Sequence, residues 1–256
     1  MALRQAIVSK LTDVGRYFEF VIDVMRYSVR RPFRVSLYLE EIERLGINSI
    51  PVIVLAGLSI GMIFALQIIS FLQPYQGEIG VGAAVGISMG RELAPIITTL
   101  MLIAKNGSAM AAELGTMRVT EQIDALETMS VVPVQYLVVP RVVASVMVFP
   151  VLTMLANLVG VGGAYLIATN LYGIDGASYS GYMFRVLKPA DIYSGLIKAA
   201  VMGFLVATIS TYCGLNAKQG AKGVGDGATK AVVVSSVAIL CADYVLASIM
   251  MIFFFR

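Results

Sequence analysis

Apolar residues run in long, nearly uncharged stretches along most of the chain. A helix that crosses a lipid bilayer needs about 20 such residues in a row. Stretches of this length run from Ile47 to Leu72, Ile79 to Ala104, about Tyr136 to Ala168, Ile192 to about Ala217, and Ala231 to Phe255. The pattern therefore predicts an all-α membrane protein with five transmembrane helices.

The first 45 residues show a different pattern, because charged residues interrupt every apolar run. Their apolar residues recur near helical spacing, which is typical of an amphipathic helix lying in the membrane surface. These residues are Leu11, Phe18, Ile22, Met25 and Val29. We predict an interfacial amphipathic segment at residues 1–45 and a five-helix transmembrane domain at residues 46–256. A soluble helix packed on a partner protein is the alternative for the first segment.

The basic residues indicate the orientation, since membrane-flanking segments rich in Lys and Arg stay in the cytoplasm. With a cytoplasmic N-terminus, 14 of the 19 basic residues lie in cytoplasmic segments and three lie on the far side. Five spans then place the C-terminus on the periplasmic side.

The composition agrees with a membrane protein and excludes several classes of function. Hydrophobic residues make up 58% of the chain and charged residues 14%, against about 45–50% and about 25% in soluble domains. The net charge of only +3 gives no reason to expect a nucleic-acid partner. Without any His, a His-based catalytic or metal site is impossible.

The glycine-rich segment Gly214–Gly227 lacks the phosphate-binding pattern G-x-x-x-x-G-K-[ST], as does the rest of the chain. The segment instead predicts a flexible turn between the fourth and fifth spans. The chain therefore lacks this route to ATP binding and hydrolysis, and no cofactor is expected in it.

Charged residues interrupt three of the predicted spans, at Arg91, Glu92, Lys198 and Asp243. Charges inside a membrane are costly and mark candidate functional sites. Arg91 and Glu92 are neighbours, so their side chains point about 100° apart on a helix and each needs its own partner. Lys198 and Asp243 are the candidates. An ion-pair network that only fixes helix packing is the structural alternative.

The segment after the second span, Glu113–Met129, combines an apolar stripe with an acidic row at helical spacing. The stripe consists of Val119, Ile123, Leu126 and Met129, and the row of Glu121, Asp124 and Glu127. It predicts one short amphipathic helix on the cytoplasmic side, with its acidic face towards another protein. A solvated surface helix is the alternative.

Four segments carry a family resemblance. They are RELAP (Arg91–Pro95), GSAMAAELGTMRVTEQIDAL (Gly107–Leu126), YLVVPR (Tyr136–Arg141) and GVGDGATKAVV (Gly223–Val233). In these segments the chain resembles the MlaE/YrbE family of lipid-transport permeases. The resemblance covers nearly the whole chain after about residue 45.

This resemblance implies a non-catalytic permease subunit of an ABC transporter in the bacterial inner membrane. The implied assembly is a homodimer with a cytoplasmic ABC ATPase, a possible STAS-domain subunit and a periplasmic MCE-domain protein ring. Phospholipid would lie between the two protomers. An ATP-independent ion or solute channel and a structural membrane anchor are the alternatives.

The resemblance also implies roles for particular residues. Lipid binding falls on Phe64, Gln67, Phe71, Leu72, Tyr75, Arg91, Glu92 and Leu93. An intramembrane charge network falls on Arg91, Glu92, Lys198, Lys230 and Asp243. ATPase coupling falls on a helix at about residues 113–130, at Glu113, Gly115, Met117, Thr120, Glu121 and Asp124. Lys105 stands where the family has Arg, and Lys lacks the bidentate fork of Arg.

Overall fold

The computed structural model describes the backbone of residues 2–30 and 34–254 and the side chains of residues 12–30 and 34–253. Every regular element in these ranges is helical. Five helical segments are long and apolar enough to cross a membrane, which confirms the predicted number. They are Val35–Tyr75, Glu78–Val119, Val134–Leu171, Pro189–Leu215 and Ala221–Phe253. The predicted end of the fifth span, Phe255, lies outside the described residues.

The α-helices are numbered along the chain. They are α1 (Ala2–Ser28), α2 (Val35–Gly46), α3 (Ile50–Leu72), α4 (Val81–Ser88), α5 (Ala94–Leu102), α6 (Ser108–Val119), α7 (Gln122–Thr128), α8 (Val139–Leu166), α9 (Gly176–Val186), α10 (Pro189–Leu215) and α11 (Ala221–Phe254). The connection containing α7 and the α10–α11 connection lie at one end of the bundle, called the α7 end. The opposite end carries α9 and is called the α9 end.

The second span is composite, since π-helical turns at Met89–Leu93 and Ile103–Gly107 join α4, α5 and α6. In the first turn the Ala94 amide donates to the Met89 carbonyl, five residues back. Pro95 follows at once, and in a regular helix its ring would clash with the carbonyl four residues earlier. The wider turn accommodates the proline, and Arg91 and Glu92 lie within this turn.

Glycines allow the spans to cross at close range, which is the main source of attraction between helices in lipid. A Cβ on Gly61 of α3 would lie 2.6 Å from the Gly160 Cα of α8. A Cβ on Gly195 of α10 would collide with the carbonyl of Gly90 in the first π-turn. These contacts bring α3 against α8, and α10 against the second span.

Helix α9 packs against α4 instead of lying free in its connection. The Tyr179 ring is fully buried and would lie 2.9 Å from a Cβ on Gly82, and burial raises the pKa of Tyr179 to about 12. The helix is capped by Asp175, which accepts from the Ser178 amide at 2.8 Å. Hydrogen bonding from Ser178 lowers the pKa of the Asp175 carboxyl.

Among the residues whose side chains are described, α1 packs on the bundle through one side of the helix. Val24 is buried, and the Tyr17 hydroxyl lies 2.9 Å from Thr208 Oγ1 of α10. The other predicted apolar positions, from Phe18 to Val29, are more than half exposed. The side chain of Leu11 lies outside the described residues.

The prediction of one helix over Glu113–Met129 is wrong. Helix α6 ends at Val119, Glu121 adopts a left-handed backbone with φ of 59°, and α7 begins at Gln122. The break has a packing reason, because it directs Ile123 into an apolar cluster with Leu114 and Leu137. At the other end of the stripe, Met129 is 73% exposed.

Candidate functional site

Lys198 joins three spans in one buried charge cluster. Its side chain is only 1% exposed. The ammonium pairs with Glu92 in the first π-turn and lies 3.2 Å from Asp243 Oδ1 of α11. One lysine therefore bridges two carboxylates across the membrane-spanning part of the molecule.

Arg91 has a different partner, as the geometry of neighbouring helical residues requires. Its Nε donates to Asp191 Oδ1 at 2.7 Å, and Asp191 is 1% exposed near the start of α10. The other carboxylate oxygen of Asp191 accepts from the Lys188 amide at 2.8 Å. Asp243 therefore pairs with Lys198, and Asp191 pairs with Arg91.

Sequence reasoning missed Asp191 because a charge near the start of a predicted span is ordinary. A signal was available in the chain. Pro189 lies in the first helical turn and an acidic residue follows at the N3 position, as helix starts favour.

The structure places Lys230 away from this cluster, so the expectation that it joins the network is wrong. Lys230 lies 13 positions before Asp243 on the same helix, which is about 20 Å at 1.5 Å per residue. Its side chain is exposed and lines a groove beside α1.

A cavity of about 400 Å³ opens beside the charge cluster, within the usual range for small-molecule sites of about 300–1,000 Å³. Four of the predicted lipid-binding residues line it, namely Phe64, Arg91, Glu92 and Leu93. Its other lining residues are Ile87, Ser88, Ser194, Lys198, Ala247, Met250 and Met251. The lining thus combines apolar side chains with charged ones.

The other four predicted lipid-binding residues, Gln67, Phe71, Leu72 and Tyr75, lie outside this lining, further towards the α9 end. Phe71 and Tyr75 are 67% and 75% exposed, and their ring centroids are 6.1 Å apart. Gln67 is exposed, whereas Leu72 is half-buried against the core. The structure therefore divides the predicted set between a cavity and an outer surface.

Helices α11 and α3, which both line the cavity, also expose large apolar side chains. Helix α11 exposes a run of large apolar side chains along its length, including Val233, Val237, Leu240, Tyr244, Val245, Ile249, Ile252 and Phe253. Helix α3 exposes Ile63, the neighbour of the lining residue Phe64. Contiguous apolar surface of this kind belongs against lipid or another protein.

The predicted coupling residues divide into exposed and internal ones. Thr120, Glu121 and Asp124 are exposed at the α7 end, and Asp124 Oδ1 lies 2.6 Å from Arg118. The other three, Glu113, Gly115 and Met117, are buried or half-buried. Gly115 is buried beside Ala217, and Met117 packs against the Ile123 cluster.

Glu113 belongs to a second charge cluster, which joins α2, α6 and α8. It pairs with Arg44 and lies 3.1 Å from Arg141, which is 3% exposed. Glu41 lies 3.3 Å from the same arginine. Lys105, at the family's arginine position, donates to the Asn48 carbonyl. These contacts fix the second span to its neighbours at the α7 end.

Five helices that can span a membrane and a charged cavity among them are the features of a multi-pass membrane protein. Residues 38–249 match the family model described as Permease MlaE. The chain belongs to the MlaE permease family. Membership indicates a non-catalytic transmembrane subunit.

Three relatives illustrate the breadth of the family. The intermembrane phospholipid transport system permease protein MlaE of Haemophilus influenzae is 32% identical over 252 residues, or 97% of this chain and 96% of that protein. A probable ABC transporter permease protein of Rickettsia felis is 37% identical over 91% of this chain and 90% of its own. The chloroplastic protein TRIGALACTOSYLDIACYLGLYCEROL 1 of Arabidopsis thaliana is 38% identical over 85% of this chain and 61% of its own.

Proposed function

We propose that this chain is the permease subunit of an ABC transporter that moves phospholipid between the bacterial inner membrane and a periplasmic MCE-domain protein ring. The cavity at Phe64 and Lys198 is the main support for this proposal, because it combines apolar and charged side chains in a chain of the MlaE family. The relative from Haemophilus, named for phospholipid transport, supports this cargo.

The apolar and charged side chains of the cavity suit the two parts of a phospholipid. Phe64, Leu93 and Met250 offer apolar surface to acyl chains, and burial of such surface is worth about 25 cal/mol per Å². Arg91 offers donors to phosphate oxygens. Glu92, whose side chain is 42% exposed, offers an acceptor to an ammonium headgroup.

A second copy of the chain would complete the cavity. Met251 lines the cavity and is 63% exposed, so the cavity opens onto the apolar surface of α11. A symmetric homodimer that joins α3 to the C-terminal half of α11, where Met251 lies, would close this opening and hold lipid between two protomers. The Phe71–Tyr75 surface then borders the same lipid path.

We place the N-terminus and the α7 end in the cytoplasm, and the α9 end and the C-terminus in the periplasm, because basic residues concentrate at the α7 end. In this orientation α1 lies along the membrane surface with its exposed residues Phe18, Ile22 and Met25 towards lipid. The interfacial segment at residues 1–45 then precedes the transmembrane domain at 46–256.

A separate cytoplasmic ATPase, with ATP and Mg in its own site, would dock at α7. A small STAS-domain subunit fits the same arrangement as an accessory of the ATPase. Helix α7 packs through Ile123 on Leu114 of α6 and on Leu137 in the turn that opens the third span, so displacement of α7 would reach the second and third spans.

Reversing two exposed charges is expected to release the ATPase. The double variant Glu121→Lys/Asp124→Lys reverses two of the three side chains in the acidic row after the second span and places a lysine beside Arg118. We expect at least tenfold less ATPase to co-purify, which corresponds to about 1.4 kcal/mol, with the permease itself intact. The control is Glu40→Lys, an exposed acidic residue on α2. Equal ATPase recovery from both variants would contradict the docking assignment.

Introducing a polar side chain on the apolar wall is expected to empty the cavity. Phe64→Gln replaces a lining residue of α3, whereas Leu55→Gln replaces a 65% exposed residue of the same helix that lies outside the lining. We expect severalfold less co-purified phospholipid from Phe64→Gln only, as measured by mass spectrometry. Unchanged phospholipid in Phe64→Gln would remove this cavity from the transport path.

A further inference from the structure

A groove of about 580 Å³ at the α7 end is larger than the proposed transport cavity and separate from it. Helix α1 forms one side, and α10 and α11 form the other. Its apolar surface includes Val14, Ile209, Cys213, Val234 and Ala238. Val234 is 41% exposed, so the groove opens sideways onto the membrane-facing surface of α11.

Charged residues of both signs stand at the rim of this groove, at Asp13, Lys218, Asp226 and Lys230. Lys218, Asp226 and Lys230 are exposed and have no ion-pair partner among the described residues. The rim therefore offers two ammonium groups and two carboxylates around an apolar floor. A zwitterionic phospholipid carries the complementary parts, with phosphate, ammonium and acyl chain in one molecule.

Glycines allow the rim of the groove to pack closely, whereas the sequence predicts a flexible turn at Gly214–Gly227. Helix α11 already begins at Ala221. A Cβ on Gly223 would lie 3.0 Å from the Lys218 Cα, and one on Gly227 would lie 3.5 Å from the Ala217 Cβ. The α10–α11 connection can therefore fold back along α11, which brings Lys218 and Lys230 to the same groove.

We propose that this groove binds a zwitterionic phospholipid of the adjacent leaflet, with its phosphate at Lys218 and Lys230 and one acyl chain along Val234 and Ala238. The lipid would fill the space between α1 and the bundle and hold α1 against α10. This second site does not depend on which cargo the transport cavity carries.

The absence of Trp from the chain makes a site-specific binding measurement possible. Val234→Trp places a single Trp in the groove, and Val237→Trp places one on the same helix at a 59% exposed position outside the lining. The purified full chain in detergent is titrated with phosphatidylethanolamine carrying brominated acyl chains, which quench a nearby Trp. Saturable quenching is expected at position 234 and only a gradual decrease at position 237.

Variants of the rim test the headgroup contact. Lys218→Gln/Lys230→Gln should raise the lipid concentration for half-quenching about tenfold, since each lysine supplies a charge-assisted hydrogen bond. Lys218→Arg/Lys230→Arg should restore binding, and Lys222→Gln, at an exposed lysine outside the groove, should leave it unchanged. Brominated phosphatidylglycerol should bind more weakly than the zwitterionic lipid.

Identical quenching at positions 234 and 237 would overturn the proposal, as would quenching that the loss of both lysines does not change. Quenching of the Trp at position 234 that weakens as the protein concentration rises would indicate that a second copy of the chain occupies the groove. This result would also overturn the proposal. Phe64→Gln should leave this binding unaffected, so failure here and failure of the transport cavity are distinguishable.

Discussion

Replacing Lys198 with methionine is expected to give the largest loss of both folded protein and bound lipid among single substitutions in the cavity. Lys198 is buried and bridges Glu92 and Asp243. Its removal leaves the carboxylate of Asp243, which is 13% exposed, without its cation. Removing one partner of a buried ion pair costs about 3–5 kcal/mol. The amount of monodisperse protein and its Tm in detergent measure the effect.

A double variant separates the structural role of this cluster from a role in transport. Lys198→Met/Asp243→Asn removes one cation and one buried anion together, so much of the folded yield should return. Lipid transport should remain impaired, because the donor at the cavity wall is still missing. Recovery of both yield and transport would mean that the charge cluster only stabilises the packing of the helices. An unchanged Tm in Lys198→Met would contradict the buried bridge itself.

Adding one methyl group at Gly61 is expected to disrupt the crossing of α3 and α8. The new Cβ would lie 2.6 Å from the Gly160 Cα and closer still to the Gly160 carbonyl oxygen. Backbone cannot move aside as a flexible side chain can, so the helices must separate. Overpacking of this kind costs typically about 1–3 kcal/mol. A clear fall in Tm in detergent, with loss of folded protein, is the expected result for Gly61→Ala.

The matched control lies on the partner helix, at Gly162. A Cβ there would meet no atom within 4 Å, and Ala stabilises a helix by about 1 kcal/mol relative to Gly. Gly162→Ala should therefore keep or raise the Tm. Equal Tm values for the two variants would mean that α3 and α8 do not cross as closely as described.

The number of spans could be predicted because bilayer thickness alone sets the length of an apolar helix. Only some members of the charge cluster could be predicted from the sequence. Arg91 and Lys198 stand out inside apolar runs, whereas Asp191 sits where a charge is ordinary. Lys230 was assigned from the family resemblance, but about 20 Å along α11 separates it from Asp243.

Turns between helices were harder to predict, because the spacing of apolar residues does not reveal a single residue with a left-handed backbone conformation. The apolar spacing of Glu113–Met129 is the same whether or not the chain turns at Glu121. The glycines near Gly223 likewise suggest flexibility by composition, although they permit a close approach of backbone to α11. The turn at Glu121 arises from the packing of Ile123 on Leu114 and Leu137, and the close approach at Gly223 involves Lys218. A helical pattern of apolar residues contains neither contact.

The most direct test of the proposed function is phospholipid transfer by the purified complex in proteoliposomes. Movement of fluorescent phospholipid between the membrane and the MCE-domain carrier is measured with and without ATP, for the unaltered chain, Phe64→Gln and Leu55→Gln. The proposed function predicts ATP-dependent transfer that Phe64→Gln abolishes and Leu55→Gln retains. Equal transfer by all three chains, or ion flux through the chain without any ATPase, would contradict a lipid path through this cavity.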